Sequence, residues 1–137
     1  MKIKTGTDII EIERVQKSIE NTDGKFCDRV YTANEIKYCE SKNVQKYQHY
    51  AARFAAKEAV FKAISDSLKD KFDIDWKQIE ILNDENGRPY VKLNENYMKN
   101  IENIDISLSH CKNYATANVV VLYKEENDGA VWFTCTL

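Results

Sequence analysis

Residues 45–67 read QKYQHYAARFAAKEAVFKAISDS, with no proline or glycine to break a helix. Ala52, Ala55, Ala56, Ala59, Ala63 and Ile64 gather on one face by the helical period, while Phe54 and Phe61 project from roughly the opposite side. A stripe of small side chains lets a helix approach its neighbour closely, and apolar groups on a second face need cover as well. The pattern predicts a long central helix, packed on its own sheet on one side and against a ligand or another subunit on the other.

On the amino-terminal side, residues 3–10 read as a strand, followed by a helix in which Ile12, Val15 and Ile19 recur at helical spacing. Thr32-Ala33-Asn34-Glu35 fits a capping box, which starts another short helix. Beyond the long helix, Ile79 and Ile81 alternate with polar residues up to Asn86-Gly87. Tyr90-Val91-Lys92-Leu93 follows, so this stretch reads as a hairpin. Ile104, Ile106 and Leu108 alternate with polar neighbours, and a second apolar strand runs over 115–123, paired through a turn at 110–113. Helices first and antiparallel strands mostly later predict an α+β fold.

Composition narrows the function. At 137 residues, 43% apolar and a formal net charge of −2, the chain suits one domain with a real core and carries no basic field for nucleic acid or a membrane surface. The first ten residues lack the apolar run of a signal peptide, so an intracellular location is expected. Cys27, Cys39, Cys111 and Cys135 are scattered without a CxxC pair and read as reduced packing residues rather than zinc ligands. Cys135 stands third from the end, out of place for prenylation.

Phe54, Glu58 and Lys62 are spaced four apart and form one column along the helix, away from the alanine stripe. Glu58 and Lys62 also describe an ordinary surface ion pair. Asp8, at the end of the first strand, could converge on Glu58, and two carboxylates suit Mg²⁺, which takes one or two of them beside water and phosphate oxygens. It could equally cap the helix starting near Glu11. His110 follows Ser107-Leu108-Ser109, where hydroxyls and an imidazole could meet a phosphate or merely bond a turn. Gly87-Arg88-Pro89 sets a guanidinium beside an approachable backbone, or is a plain turn. No GxSxG elbow marks a serine nucleophile.

Taken together, Gly6-Thr7-Asp8-Ile9, Arg53-Phe54-Ala55-Ala56-Lys57-Glu58-Ala59 with Lys62, Gly87-Arg88-Pro89 and Ser107-Leu108-Ser109-His110 resemble the holo-acyl-carrier-protein synthase family in order and spacing. The resemblance spans residues 1–123, taken as one phosphopantetheinyl transferase domain, and leaves 124–137 as an extension of unknown role containing Val131-Trp132-Phe133.

It implies the 4'-phosphopantetheinyl transferase fold, an antiparallel sheet packed on a long central helix. It also implies a cytoplasmic homotrimer whose active sites lie in clefts between subunits. Coenzyme A would be the donor, a serine of apo-acyl-carrier protein the acceptor and adenosine 3',5'-bisphosphate the product, in the service of fatty acid biosynthesis. On this resemblance Asp8, Glu58 and Lys62 are catalytic, with Asp8 and Glu58 holding Mg²⁺ and Lys62 beside the pyrophosphate. Arg53, Gly87, Arg88, Pro89, Ser107 and His110 would bind the coenzyme, and Arg14, Lys25, Phe26, Arg29 and Phe54 would dock the carrier. No nucleic acid or membrane partner is expected.

One departure stands out: Ser65-Asp66-Ser67 occupies the place of a glycine-rich turn usual in the family, which bears on any backbone cradle there. Three rival readings are weaker. A broad-specificity transferase is typically twice this length and internally repeated. A carrier-binding module without catalysis would not need Asp8, Glu58 and Lys62. A Mg²⁺ nucleotide hydrolase would show a GxxxxGK[ST] loop, absent here.

Overall fold

A computed structural model describes residues 1–65, 68 and 75–125. Its long helix, α4 (Lys46–Ile64), lies across a three-stranded antiparallel sheet of order β1-β5-β4, formed by Lys2–Glu11, Tyr114–Tyr123 and Ile101–His110. Three short helices, α1 (Ile12–Glu20), α2 (Lys25–Val30) and α3 (Ala33–Glu40), precede it. A separate hairpin, β2 (Ile79–Asn83) with β3 (Pro89–Leu93), follows. The α+β order and the helix-on-sheet arrangement are those expected from the sequence.

The alanine stripe packs as its spacing requires. Ala55, Ala56, Ala59 and Ala63 are buried against Ile106, Val119 and Val121, and Ala117 continues the small-residue theme on the facing strand. Gly6 shows how tight this contact is: a Cβ built there would lie 1.9 Å from the Ala59 carbonyl oxygen and 3.1 Å from the Ala63 nitrogen. Only glycine allows β1 to come this near α4.

On the second apolar side of α4, elements of the chain itself lie against Phe54 and Phe61, both of which remain half-buried. Phe54 meets Phe26 of α2 at 5.7 Å between ring centroids, and Phe61 meets Trp76, beside β2, at the same 5.7 Å. A second core cluster of Ile12, Val15, Val30, Tyr31 and Tyr50 fastens α1–α3 to the amino-terminal half of α4. The Thr32–Glu35 capping box is present, each side chain bonding the other's backbone amide. In the β2–β3 turn, Gly87 has φ +82°, and the Asp84 carboxylate accepts from the amides of Asn86 and Arg88. Val131-Trp132-Phe133 lies outside the described residues, as does Asp66-Ser67 of the replaced glycine-rich turn.

Candidate functional site

Because side chains alternate along β1, Lys4, Gly6, Asp8 and Ile10 turn toward α4 while Ile3, Thr5, Thr7 and Ile9 turn away. Close packing at Gly6 therefore delivers Asp8, two residues on, to the edge of α4. There the Lys62 ammonium lies 3.1 Å from Asp8 Oδ1 and donates to the Thr7 carbonyl at 2.9 Å. Asp8 is not a helix cap: α1 begins after Glu11 with no side-chain cap bond.

Glu58, one turn before Lys62 on α4, completes the group. Burial, and next the Asp8 charge, push its carboxyl above the usual glutamate value, while Lys62 pulls it back. Two carboxylates thus face one ammonium and leave one negative charge in a half-buried setting. Oxygen donors with excess negative charge fit a hard divalent cation that brings anionic oxygens with it. Among the described residues no group of three or more His, Cys, Asp or Glu side chains is placed to hold a metal, so an ion here would rely on the two carboxylates plus ligands from outside the chain.

A second, cationic cluster sits at the start of α4. Arg53 is 3% exposed; its guanidinium stacks on the Tyr38 ring at 4.0 Å and donates to Asn83 Oδ1 of the hairpin, while its Nε finds no partner. The His110 ring lies 6.2 Å from that of His49, one turn before Arg53. Burial, then the Arg53, Lys42 and His110 charges, hold the His49 imidazole below its ordinary pKa. The guanidinium of Arg53 and the ammonium of Lys42 thus share the Tyr38 ring beside two imidazoles, a setting that suits an anion.

Arg88, at the hairpin tip, reaches Asp105 of β4 with one nitrogen at 3.2 and 3.3 Å from its two oxygens. Ser107 and Ser109 are separated from His110 by the pleat, since they point to the outer face of the sheet. Arg14, Lys25 and Arg29 are exposed on α1 and α2, with the Arg29 guanidinium 6.0 Å from the Phe26 ring.

Sequence reasoning did not single out His49, Tyr38 or Asn83. His49 carried a usable signal, standing four residues before Arg53 on the same helix face. Tyr38 and Asn83 carried none, because their contacts depend on how α3 and the hairpin pack.

The sequence pattern of the 4'-phosphopantetheinyl transferase superfamily matches residues 4–119. The holo-acyl-carrier-protein synthase of Ruminiclostridium cellulolyticum is 46% identical over 126 residues, covering 88% of this chain and 92% of that protein. That of Protochlamydia amoebophila is 43% identical over 122 residues, covering 88% and 98%. Among solved structures, the Helicobacter pylori synthase in complex with coenzyme A superposes with a TM-score of 0.75 at 30% identity, covering 86% of this chain and 99% of that one. The Bacillus anthracis synthase in complex with CoA (3',5'-ADP) gives 0.72 at 31%, covering 89% and 96%.

Proposed function

The chain belongs to the 4'-phosphopantetheinyl transferase superfamily, and we propose that within this family's reaction its Asp8, Glu58 and Lys62 form the catalytic group, with Asp8 and Glu58 holding Mg²⁺. It is a holo-acyl-carrier-protein synthase that moves the 4'-phosphopantetheine moiety of coenzyme A onto apo-acyl-carrier protein. The observation that carries the site proposal is the convergence of Asp8 and Lys62, 3.1 Å apart, on the turn of α4 that bears Glu58.

When bound, Mg²⁺ would offset the charge of the coenzyme pyrophosphate. Lys62, already held at the site's mouth, donates to the departing phosphate as negative charge grows on it. The acceptor serine loses a proton as its oxygen attacks phosphorus, and of the site residues only Asp8 and Glu58 offer a carboxylate to take it. Adenosine 3',5'-bisphosphate leaves. Arg53, Arg88 and His110 grip the nucleotide's phosphates, and Gly87 and Pro89 shape the backbone beside Arg88. Ser107 belongs to the coenzyme site only if a neighbouring subunit presents it.

That neighbour is part of the proposal. Arg53 and Glu58 are five residues apart on α4, which turns them about 140° from each other. One compact ligand group does not meet both within a chain, and a cleft between subunits supplies the missing half. The outer face of the sheet supports a homotrimer, since Ile3, Ile9 and Val120 are 59%, 64% and 47% exposed there. The acidic carrier docks on Arg14, Lys25, Phe26, Arg29 and Phe54, with local cations steering a partner toward a slightly negative enzyme. None of the described helices is long and apolar enough to cross a membrane. Residues 1–123 form the transferase domain, with 124–137 an appendage to it.

The deciding experiment is the intact mass of an apo carrier protein after incubation with enzyme and coenzyme A, with Mg²⁺ present or chelated. A gain of one phosphopantetheine that requires Mg²⁺ is expected. A gain that survives chelation overturns the metal assignment, and no gain with any of several carriers from a folded enzyme overturns the transferase assignment itself.

A further inference from the structure

Glu35 and Lys57 form an ion pair of 2.6 Å with both side chains fully buried, and nothing in the reaction uses them. Every hydrogen-bonding position of the lysine is taken: Glu35 Oε1, the Val30 carbonyl at 2.5 Å and the Trp76 carbonyl at 3.0 Å. The carboxylate is as fully engaged, accepting from Thr32 N at 2.8 Å through Oε1 and from Ile81 N at 2.9 Å through Oε2. One pair thereby ties the end of α2, the start of α3, the middle of α4, the turn at Trp76 and the strand β2.

The Ile81 bond matters most. Ile81 lies in β2 two residues before Asn83, the acceptor of Arg53, and the same hairpin ends in the Gly87-Arg88-Pro89 turn. Glu35 therefore fixes β2 at a defined height along α3 and α4, and with it the register of Arg53 against Asn83 and the reach of Arg88. Glu58 and Lys62 stand about 100° and about 140° round the same helix from Lys57, and the Asp8–Glu58–Lys62 group is set by β1 through Gly6.

We infer that the buried Glu35–Lys57 pair is a positioning clamp for the coenzyme-gripping hairpin, governing how tightly coenzyme A is held rather than how fast the group is transferred. The inference rests on the reading above that Arg53 and Arg88 meet the coenzyme. Neither Glu35 nor Lys57 touches substrate; both act through β2.

The test is steady-state transfer by the full-length enzyme carrying Glu35→Gln, with Lys57→Met and Arg88→Ala alongside and amide hydrogen exchange as a second readout. Glu35→Gln retains the size of the side chain and one carbonyl acceptor, so it folds more readily than Lys57→Met. The clamp predicts a rise in KM for coenzyme A of about tenfold with kcat within about twofold of the parent, as expected when binding common to the ground and transition states is lost. It also predicts faster exchange at Ile81 while Gly6–Ile10 of β1 stays protected. The double variant Glu35→Gln/Lys57→Gln, whose amides can bond one another without charge, should recover part of the KM.

In folded Glu35→Gln, a fall in kcat at unchanged KM, or a loss of protection at Gly6–Ile10 as large as that at Ile81, would show a merely structural pair and overturn the proposal. So would unchanged KM in folded Glu35→Gln when Arg88→Ala raises it. If Arg88→Ala itself leaves KM unchanged, the placement of coenzyme A at the hairpin fails instead, and the clamp fails with it.

Discussion

Lys57 and Lys62 stand five residues apart on α4, each paired with a carboxylate from another element, yet their surroundings are opposite. Lys57 and Glu35 are sealed from solvent. Burial pushes the Glu35 carboxyl up and the Lys57 ammonium down, and each partner's charge counters that push. Lys62 is 51% exposed and Asp8 18%, and a second carboxylate, Glu58, shares their space. The sealed pair is balanced and saturated, so it has nothing left to offer a ligand. The open group carries surplus negative charge and can accept a cation and the phosphate that accompanies it. The contrast between Lys57 and Lys62 separates an ion pair that holds the fold from one available for chemistry.

The largest effect should come from breaking the sealed pair. Lys57→Met leaves the Glu35 carboxylate buried without its cation, and truncating one partner of such a pair costs about 3–5 kcal/mol. Lys62→Met removes an open pair, for which less than about 1 kcal/mol is expected. Urea unfolding of both variants compares them directly, and similar losses would erase the distinction.

Reversing the readout, Glu58→Gln should lower kcat about a hundredfold to a thousandfold, the usual consequence of removing one preorganised charged group, and leave the unfolding midpoint nearly unchanged. Mass spectrometry of the carrier over time gives the rate. Unchanged turnover would remove Glu58 from the site.

Gly6→Ala acts on the open group through the backbone. The added methyl group meets the Ala59 carbonyl at 1.9 Å, so β1 must lift from α4 and carry Asp8 with it. Overpacking of this kind costs about 1–3 kcal/mol. Stability and transfer should fall together, whereas a drop in stability alone would mean that Asp8 keeps its place without the close contact.

The difference between the two pairs also marks what was legible in the sequence. The alanine stripe of α4, the alternating strands and the capping box are local patterns, and each became the element its spacing predicts. Gly6, Asp8, Glu58 and Lys62 could be grouped because their motifs are distinctive and the strand and helix bearing them had already been read. The partnership of Glu35 with Lys57 could not be foreseen. Glu35 was visible only as half of a capping box, and its second role depends on β2 arriving 46 residues later in the chain. The contacts of Phe54 with Phe26 and of Phe61 with Trp76 were illegible for the same reason: periodicity shows that a face is apolar, but not which element lies over it. Ser107 and His110, three residues apart in one motif, are parted by the strand's alternation, which a motif alone does not display.

The smallest effect should come from the amino-terminal end of α4, which lies between the two extremes. His49 is partly buried and faces Arg53 and His110, with Lys42 nearby and the Tyr38 ring against it. Its imidazole is held below the ordinary value of 6.5, so the unfolded chain takes up its proton first as pH falls. The contribution of neutral His49 to stability is therefore complete above pH 6.5 and declines as the pH drops from there toward the lowered folded value. Comparing unfolding midpoints at about pH 8 and about pH 5 for the parent and for His49→Gln isolates this contribution, since histidine is the side chain that changes charge in that range. The parent should lose more stability on acidification than the variant. An equal loss would mean that the cationic cluster places no strain on His49, and that the Arg53 end of the helix is as fully balanced as the sealed pair.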